Sequence, residues 1–95
     1  MKVFVGLLII TFDIPSANTL KQKRQILRRN IEKCRNKMKI SIAEVDFQNR
    51  IRSATIAVAL VGNSKTTLEC LRDSVESLLV NDPEWDAVET SWELL

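Results

Sequence analysis

The sequence predicts an α+β domain of βαββαβ order, the ferredoxin-like arrangement of a four-stranded antiparallel sheet with two helices on one face. Three observations carry this. Four runs rich in β-branched and aromatic residues are separated by turn signals, two segments between them show apolar residues at helical spacing, and the first and third runs are apolar on both faces. Strands one and three are the central pair of that sheet, and central strands need apolar residues on both sides, so pattern and topology agree. All 95 residues fit one domain with a single core.

Residues 2–12 form the first strand, with Val3, Phe4, Val5, Leu7, Leu8, Ile9, Ile10 and Phe12 supplying the apolar content. The run is too short to span a membrane as a helix, and no small-residue cleavage site follows it, so it reads as structure rather than as a leader. Asp13-Ile14-Pro15 ends it, because proline lacks a ladder donor and restricts the residue before it. Asn18 or Thr19 is placed to cap a helix that runs to about Lys37, with Leu20, Leu27, Ile31, Cys34 and Met38 in one arc as the expected buried stripe. Residues 39–46 form the second strand, 47–52 a polar loop, and 53–61 the third strand. Gly62-Asn63-Ser64 breaks that strand, and Asn63 or Ser64 caps a second helix carrying Leu68, Leu71, Val75, Leu78 and Leu79. Asn81-Asp82-Pro83 stops it, and residues 85–95 close the chain as a strand with Val88, Thr90, Trp92 and Leu94 on one side. Two helices cover only one sheet face, so the apolar residues of the central strands on the other face predict an interface: self-association, such as a homodimer through the sheet face, or a protein partner.

Charge is unevenly divided. Residues 1–39 hold ten Lys/Arg against Asp13 and Glu32, a net of +8, whereas residues 40–95 hold four against ten acids, a net of −6. Most of the positive charge lies on the first helix, where Lys21, Arg24, Arg28 and Arg35 form one stripe and Arg29, Lys33 and Lys37 another. The chain has no histidine and only Cys34 and Cys70, which removes His general-base catalysis, Cys–His nucleophiles and Cys/His zinc sites. Two isolated cysteines fit a reducing compartment, and the chain is expected to be cytoplasmic, with no membrane segment and no cofactor motif.

The blocks IPSANTLKQKRQIL, RNKMKISIAEVDFQ and SATIAVALVGN resemble the YlxP-like family of small bacterial proteins, and the likeness spans nearly the whole chain. The resemblance implies the ferredoxin-like fold. It implies no defined activity, but the family's genes often neighbour those of translation-initiation and ribosome-maturation factors, which implies an association with ribosome work. The chain departs from the family after Gln48, where relatives carry a D-x-W-Q-R-like run and this chain has Asn49, Arg50, Ile51 and Arg52.

The strongest functional pattern is the basic helix, with Lys21, Lys23, Arg24, Arg28, Arg29, Lys33 and Arg35 as expected contacts to the phosphates of RNA. No aromatic residue interrupts the helix, so stacking readout is not expected from it. Set against this is a solvated basic face that pairs with the acidic half of the chain. Glu44 and Asp46, two apart on a strand and followed by Gln48, form a second candidate polar site that could serve a metal-dependent hydrolase or ligand sensor. Two carboxylates make a poor metal site, and charges on an edge strand already serve to block edge pairing. Gly62-Asn63-Ser64-Lys65-Thr66 echoes a phosphate-binding loop but lacks its glycine spacing, which argues against NTPase chemistry. The leading expectation is therefore a non-enzymatic module that binds RNA or a ribonucleoprotein through the basic helix, with a protein-binding or self-assembling adaptor as the alternative.

Overall fold

The computed structural model describes residues 1–95, in the order β1 (Phe4–Asp13), α1 (Leu20–Lys37), β2 (Ser41–Asp46), β3 (Ser53–Gly62), α2 (Lys65–Val80) and β4 (Asp86–Leu94). The four strands form one sheet of order β2-β3-β1-β4 with every neighbour antiparallel, the ferredoxin-like topology. Both central strands are ten residues long and pair along their whole length, from Phe4 opposite Gly62 to Asp13 opposite Ser53.

Alternation along the strands separates two unlike faces. On the helix-covered face, Leu8, Ile10 and Phe12 of β1 meet Ala54, Ile56, Val58 and Leu60 of β3, all buried, under Ile26, Leu27 and Cys34 of α1 and Leu68, Val75 and Leu79 of α2. Trp85, just before β4, closes one end of this core. Its ring stacks on Phe12 with centroids 3.8 Å apart, and its Nε1 donates to the Leu79 carbonyl at 2.6 Å. Trp92 lies on the same face, opposite Leu8, and covers Gly6 so closely that a Cβ there would run into the indole ring. Gly6→Val should therefore cost about 1–3 kcal/mol as an overpacked site. A red-shifted indole emission would show the half-buried Trp92 displaced, whereas unchanged emission and stability would show that the ring yields freely.

Both helices begin on the expected caps. Thr19 Oγ1 accepts from Gln22 N at 3.1 Å while Gln22 Oε1 accepts from Asn18 N at 2.7 Å, and Ser64 Oγ accepts from Thr67 N at 3.1 Å. The buried stripe of α1 departs from the expected one. Lys23, Ile26, Leu27, Asn30 and Cys34 are buried, while Ile31 and Met38 are half-buried and pack at the margin. The helix is rolled so that polar residues 23 and 30 face inward, a position apolar periodicity cannot assign to a lysine or an asparagine. Burial pushes the Cys34 thiol up, against the weaker pull of Lys33, so Cys34 is a packed and unreactive group. Cys70 is exposed.

Two strand irregularities re-aim side chains. In β2 the register shifts between Glu44 and Asp46, and in β4 it shifts so that Val88 is the extra residue between Ala87, opposite Phe12, and Glu89, opposite Thr11. Thr90, Trp92 and Leu94 share a face as the alternation predicts, but Val88 drops out of that set. No helix is long and apolar enough to cross a membrane.

Candidate nucleic-acid interface

Helix α1 runs antiparallel to the edge strand β2, and a shallow groove lies between them. Arg24, Arg28 and Arg35 line it over a floor of Leu27 and Ile31, with Ala43 and Glu44 on the strand side and Glu32 at the rim. The spacing 24, 28, 35 puts one guanidinium on each successive exposed turn or two of the same helix face. Arg35 is held in place by donating from Nη2 to the Ile42 carbonyl at 2.9 Å, which also ties the end of α1 to the start of β2. Arg24 and Arg28 are exposed and make no ion pair or hydrogen bond with protein groups.

One of the two acids in the groove, Glu44, is paired from beneath, whereas Glu32 at the rim has no cation partner. Lys23 is fully buried, and its Nζ lies 2.9 Å from Glu44 Oε2. The same ammonium donates to the Phe47 carbonyl at 2.6 Å. Phe47 sits at φ 61°, left-handed backbone that a bulky residue adopts only when its surroundings hold it there. Lys23 is one such restraint, and the amide of Phe47, donating to Asp46 Oδ1 at 2.8 Å, is another. Lys23 thus anchors the Phe47 backbone near the start of α1, and the Arg50 guanidinium stands 4.6 Å from the Phe47 ring centroid.

The structure therefore redistributes the expected basic contacts. Arg24, Arg28 and Arg35 come together. Lys23 is withdrawn into the interior as a structural cation, so it cannot meet a phosphate. Arg29 is also committed elsewhere: its Nε and Nη2 donate to Asp82 Oδ2 at 3.1 and 2.6 Å, and its Nη1 lies 3.7 Å from Glu84. Lys21 is exposed and Lys33 half-buried, and neither lines the groove.

The second candidate site does not assemble. The β2 bulge places Glu44 opposite Ile56 on the helix-covered face and Asp46 opposite Thr55 on the other, so the two carboxylates point away from each other and share no ligand. The expectation that two residues apart means one face fails because the extra residue inverts the alternation. Gln48 is exposed in the loop.

Phe47 was not singled out by sequence reasoning, and Arg50 was noted only as part of the Asn49–Arg52 stretch that departs from the family. The available signal was a lone aromatic in a polar loop, but its place beside α1 depends on the buried reach of Lys23 across 24 positions of sequence.

A family model described as a protein of unknown function, DUF503, matches residues 5–92. The chain belongs to this family. It is similar to the uncharacterized protein YlxP of Bacillus subtilis (strain 168), with 30% identity over 71 residues that cover 75% of this chain and 77% of that protein. Among solved structures, the de novo designed protein Foldit4 shares the fold at a TM-score of 0.56 and 14% identity, over 97% of this chain and 96% of that one. A designed protein with so little sequence in common carries information about the fold alone.

Proposed function

We propose that this DUF503 member is a non-enzymatic module that binds single-stranded or looped RNA, free or within a ribonucleoprotein, along the α1–β2 groove. The observation that carries the reading is the line of arginines on one face of α1, Arg24 and Arg28 unpaired and Arg35 tied to the Ile42 carbonyl, with Phe47 anchored by Lys23 near the Arg24 end. Guanidinium groups suit phosphate oxygens, and an arginine plane over an aromatic ring offers an unstacked base a flat surface. Residues 24 to 35 span roughly 16 Å of helix at 1.5 Å per residue, room for on the order of five nucleotides at 3.4 Å of axial rise each. Internal pairing of Glu44 with Lys23 supports the reading, because it leaves Glu32 as the one uncompensated acid against Arg24, Arg28 and Arg35 in the groove. The family's implied association with ribosome work makes ribosomal RNA the natural source of such a strand.

The test is binding of a labelled short single-stranded RNA, and of the same sequence as a duplex, across about 50–200 mM salt. Three or four phosphate contacts predict a log–log salt slope of about −2 to −3 for the single strand. Arg24→Gln/Arg28→Gln should weaken binding by about tenfold or more and flatten that slope by about 1 to 1.5. Both residues are exposed and unpaired, so the variant folds normally. Binding that the double substitution leaves unchanged, or that is indifferent to salt, overturns the proposal.

A further inference from the structure

The sheet face away from the helices is uncovered, and its chemistry differs from that of the α1–β2 groove. Val5, Leu7 and Ile9 of β1 form a ridge, and beside it Ala57 and Ala59 of β3 with Ala43 of β2 form a floor of small side chains. Leu7, Ile9 and Ala57 are only half-buried, and Val5 and Val61 are exposed. The result is an apolar shelf two strands wide, bounded by the β1 ridge and open at the β2 edge, roughly 10 Å at the 4.8 Å strand spacing, which matches the ~10 Å diameter of one α-helix.

Charge identifies the occupant. Register places Glu93 beside Leu7, Glu89 beside Thr11, and Asp86 directly opposite Asp13, while Asp46 stands opposite Thr55 on the far side, so all five carboxylates share the apolar face. No Lys or Arg lies within 4.0 Å of any of them. Asp13 against Asp86 is a like-charge cross-strand pair, an arrangement that opposes folding. Two cations border the face: Lys39 at the corner near Val5 and Val61, and Arg52, which shares a cleft with Asp13. Like-charge juxtaposition rejects the wrong partner, and complementary charge selects the right one.

We infer that this face docks a cationic amphipathic helix of a partner protein, its apolar stripe across the β1 ridge and the β3 alanines and its flanking lysines or arginines toward the β4 carboxylates on one side and Asp46 on the other. A second copy fits less well. Stacking two such faces about a two-fold axis across the strands sets β4 on β4, and about an axis along them sets β4 on β2, with Glu89 over Asp46. Lys39 and Arg52 together do not offset five carboxylates. The chain's own α1 is unsuitable too, because its apolar stripe is already buried in its own core. The inference does not rest on RNA binding. The arginine groove opens beside α1 at the β2 edge and the β4 carboxylates lie at the other edge of the sheet on the uncovered face, with Ala43 bordering both surfaces.

The probe is a synthetic amphipathic helical peptide with leucine and alanine on one face and lysines along its flanks, compared with the same peptide carrying glutamates for lysines. The lysine peptide should bind in the micromolar range and shift the amide resonances of Leu7, Ile9, Ala57, Ala59, Glu89 and Glu93. The glutamate peptide should bind at least about tenfold more weakly. Glu89→Lys/Glu93→Lys and Ala59→Arg, all at exposed positions, should each reduce lysine-peptide binding by about tenfold while circular dichroism stays unchanged. Arg24→Gln/Arg28→Gln should leave it intact. Equal binding of both peptides, resonance shifts that map to the helices, or a micromolar dimer abolished by Ala59→Arg would each overturn the assignment, the last by showing that a second copy covers the face.

Discussion

Lys23→Met lowers the unfolding free energy by about 3 kcal/mol, toward the lower end of the 3–5 kcal/mol lost when one partner of a buried ion pair is removed. The lower end is expected because Glu44 is 19% exposed and regains some hydration once its partner has gone. Methionine matches the length of the aliphatic stem, so the loss comes from two orphaned groups, the Glu44 carboxylate and the Phe47 carbonyl, rather than from a cavity. The double variant Lys23→Met/Glu44→Leu should recover most of the loss, since replacing both partners of a buried pair by apolar groups is often close to neutral. Urea unfolding of the four species gives the coupling free energy directly. A single-variant loss under about 0.5 kcal/mol would place the ammonium in water rather than in the core. The same variant reports on function: freed from Lys23, Phe47 leaves its left-handed conformation, and RNA affinity should fall even though no phosphate contact has been removed.

Asp82→Ala is expected to cost about 2–4 kcal/mol, because the carboxylate is the hub joining the α2–β4 turn to α1. Oδ2 accepts from Arg29 and from Asn30 Nδ2 at 2.9 Å, and Oδ1 accepts from Glu84 N at 2.8 Å. Asn30 is itself buried, bonded to the Ile26 carbonyl at 2.9 Å, and its Oδ1 has no partner, so the network already carries one unsatisfied atom. Loss of Asp82 would add a second and release the turn that seats Trp85. Burial pushes the Asp82 carboxyl up, but the Glu84 amide, the Arg29 guanidinium and the Asn30 amide together outweigh it and hold the group below its ordinary range. The sign of the pH effect follows. Below the ordinary aspartate value of about 3.9 the unfolded chain takes up the proton first, so the stabilisation is complete above that value and is lost as pH falls through the lower native value. The stability difference between wild type and Asp82→Asn should therefore be constant from about pH 5 to 7 and shrink as pH falls below about 3.9. A difference that instead grows on acidification would mean that the native state binds this proton more tightly.

Much of the architecture was legible residue by residue. The two-sided apolar runs at Leu7–Phe12 and Ala54–Val61, Pro15 after Asp13, and the caps at Thr19 and Ser64 each have a local physical reason, and together they leave one economical topology. The basic helix was legible as a stripe of charge. It was not legible which of its cations are free, because Lys23 and Arg29 are taken up by Glu44, Phe47 and Asp82, groups 21 to 53 positions away. The bulge in β2 was equally invisible, since a single extra residue leaves no compositional trace yet sends Glu44 and Asp46 to opposite faces.

The sequence by itself determined the element order, the central strands, the helix starts and the existence of a basic side and an uncovered apolar face, because these follow from periodicity, turn chemistry and local sterics. Only the tertiary structure decided the make-up of the candidate surfaces. It buried Lys23, tied Arg29 to Asp82, anchored Phe47 to Lys23 with Arg50 over its ring, and gathered Asp13, Asp46, Asp86, Glu89 and Glu93 from three strands onto one face. The physical reason is that a side chain's availability depends on what long-range packing sets beside it, and strand register, a non-local property, settles which charges share a face.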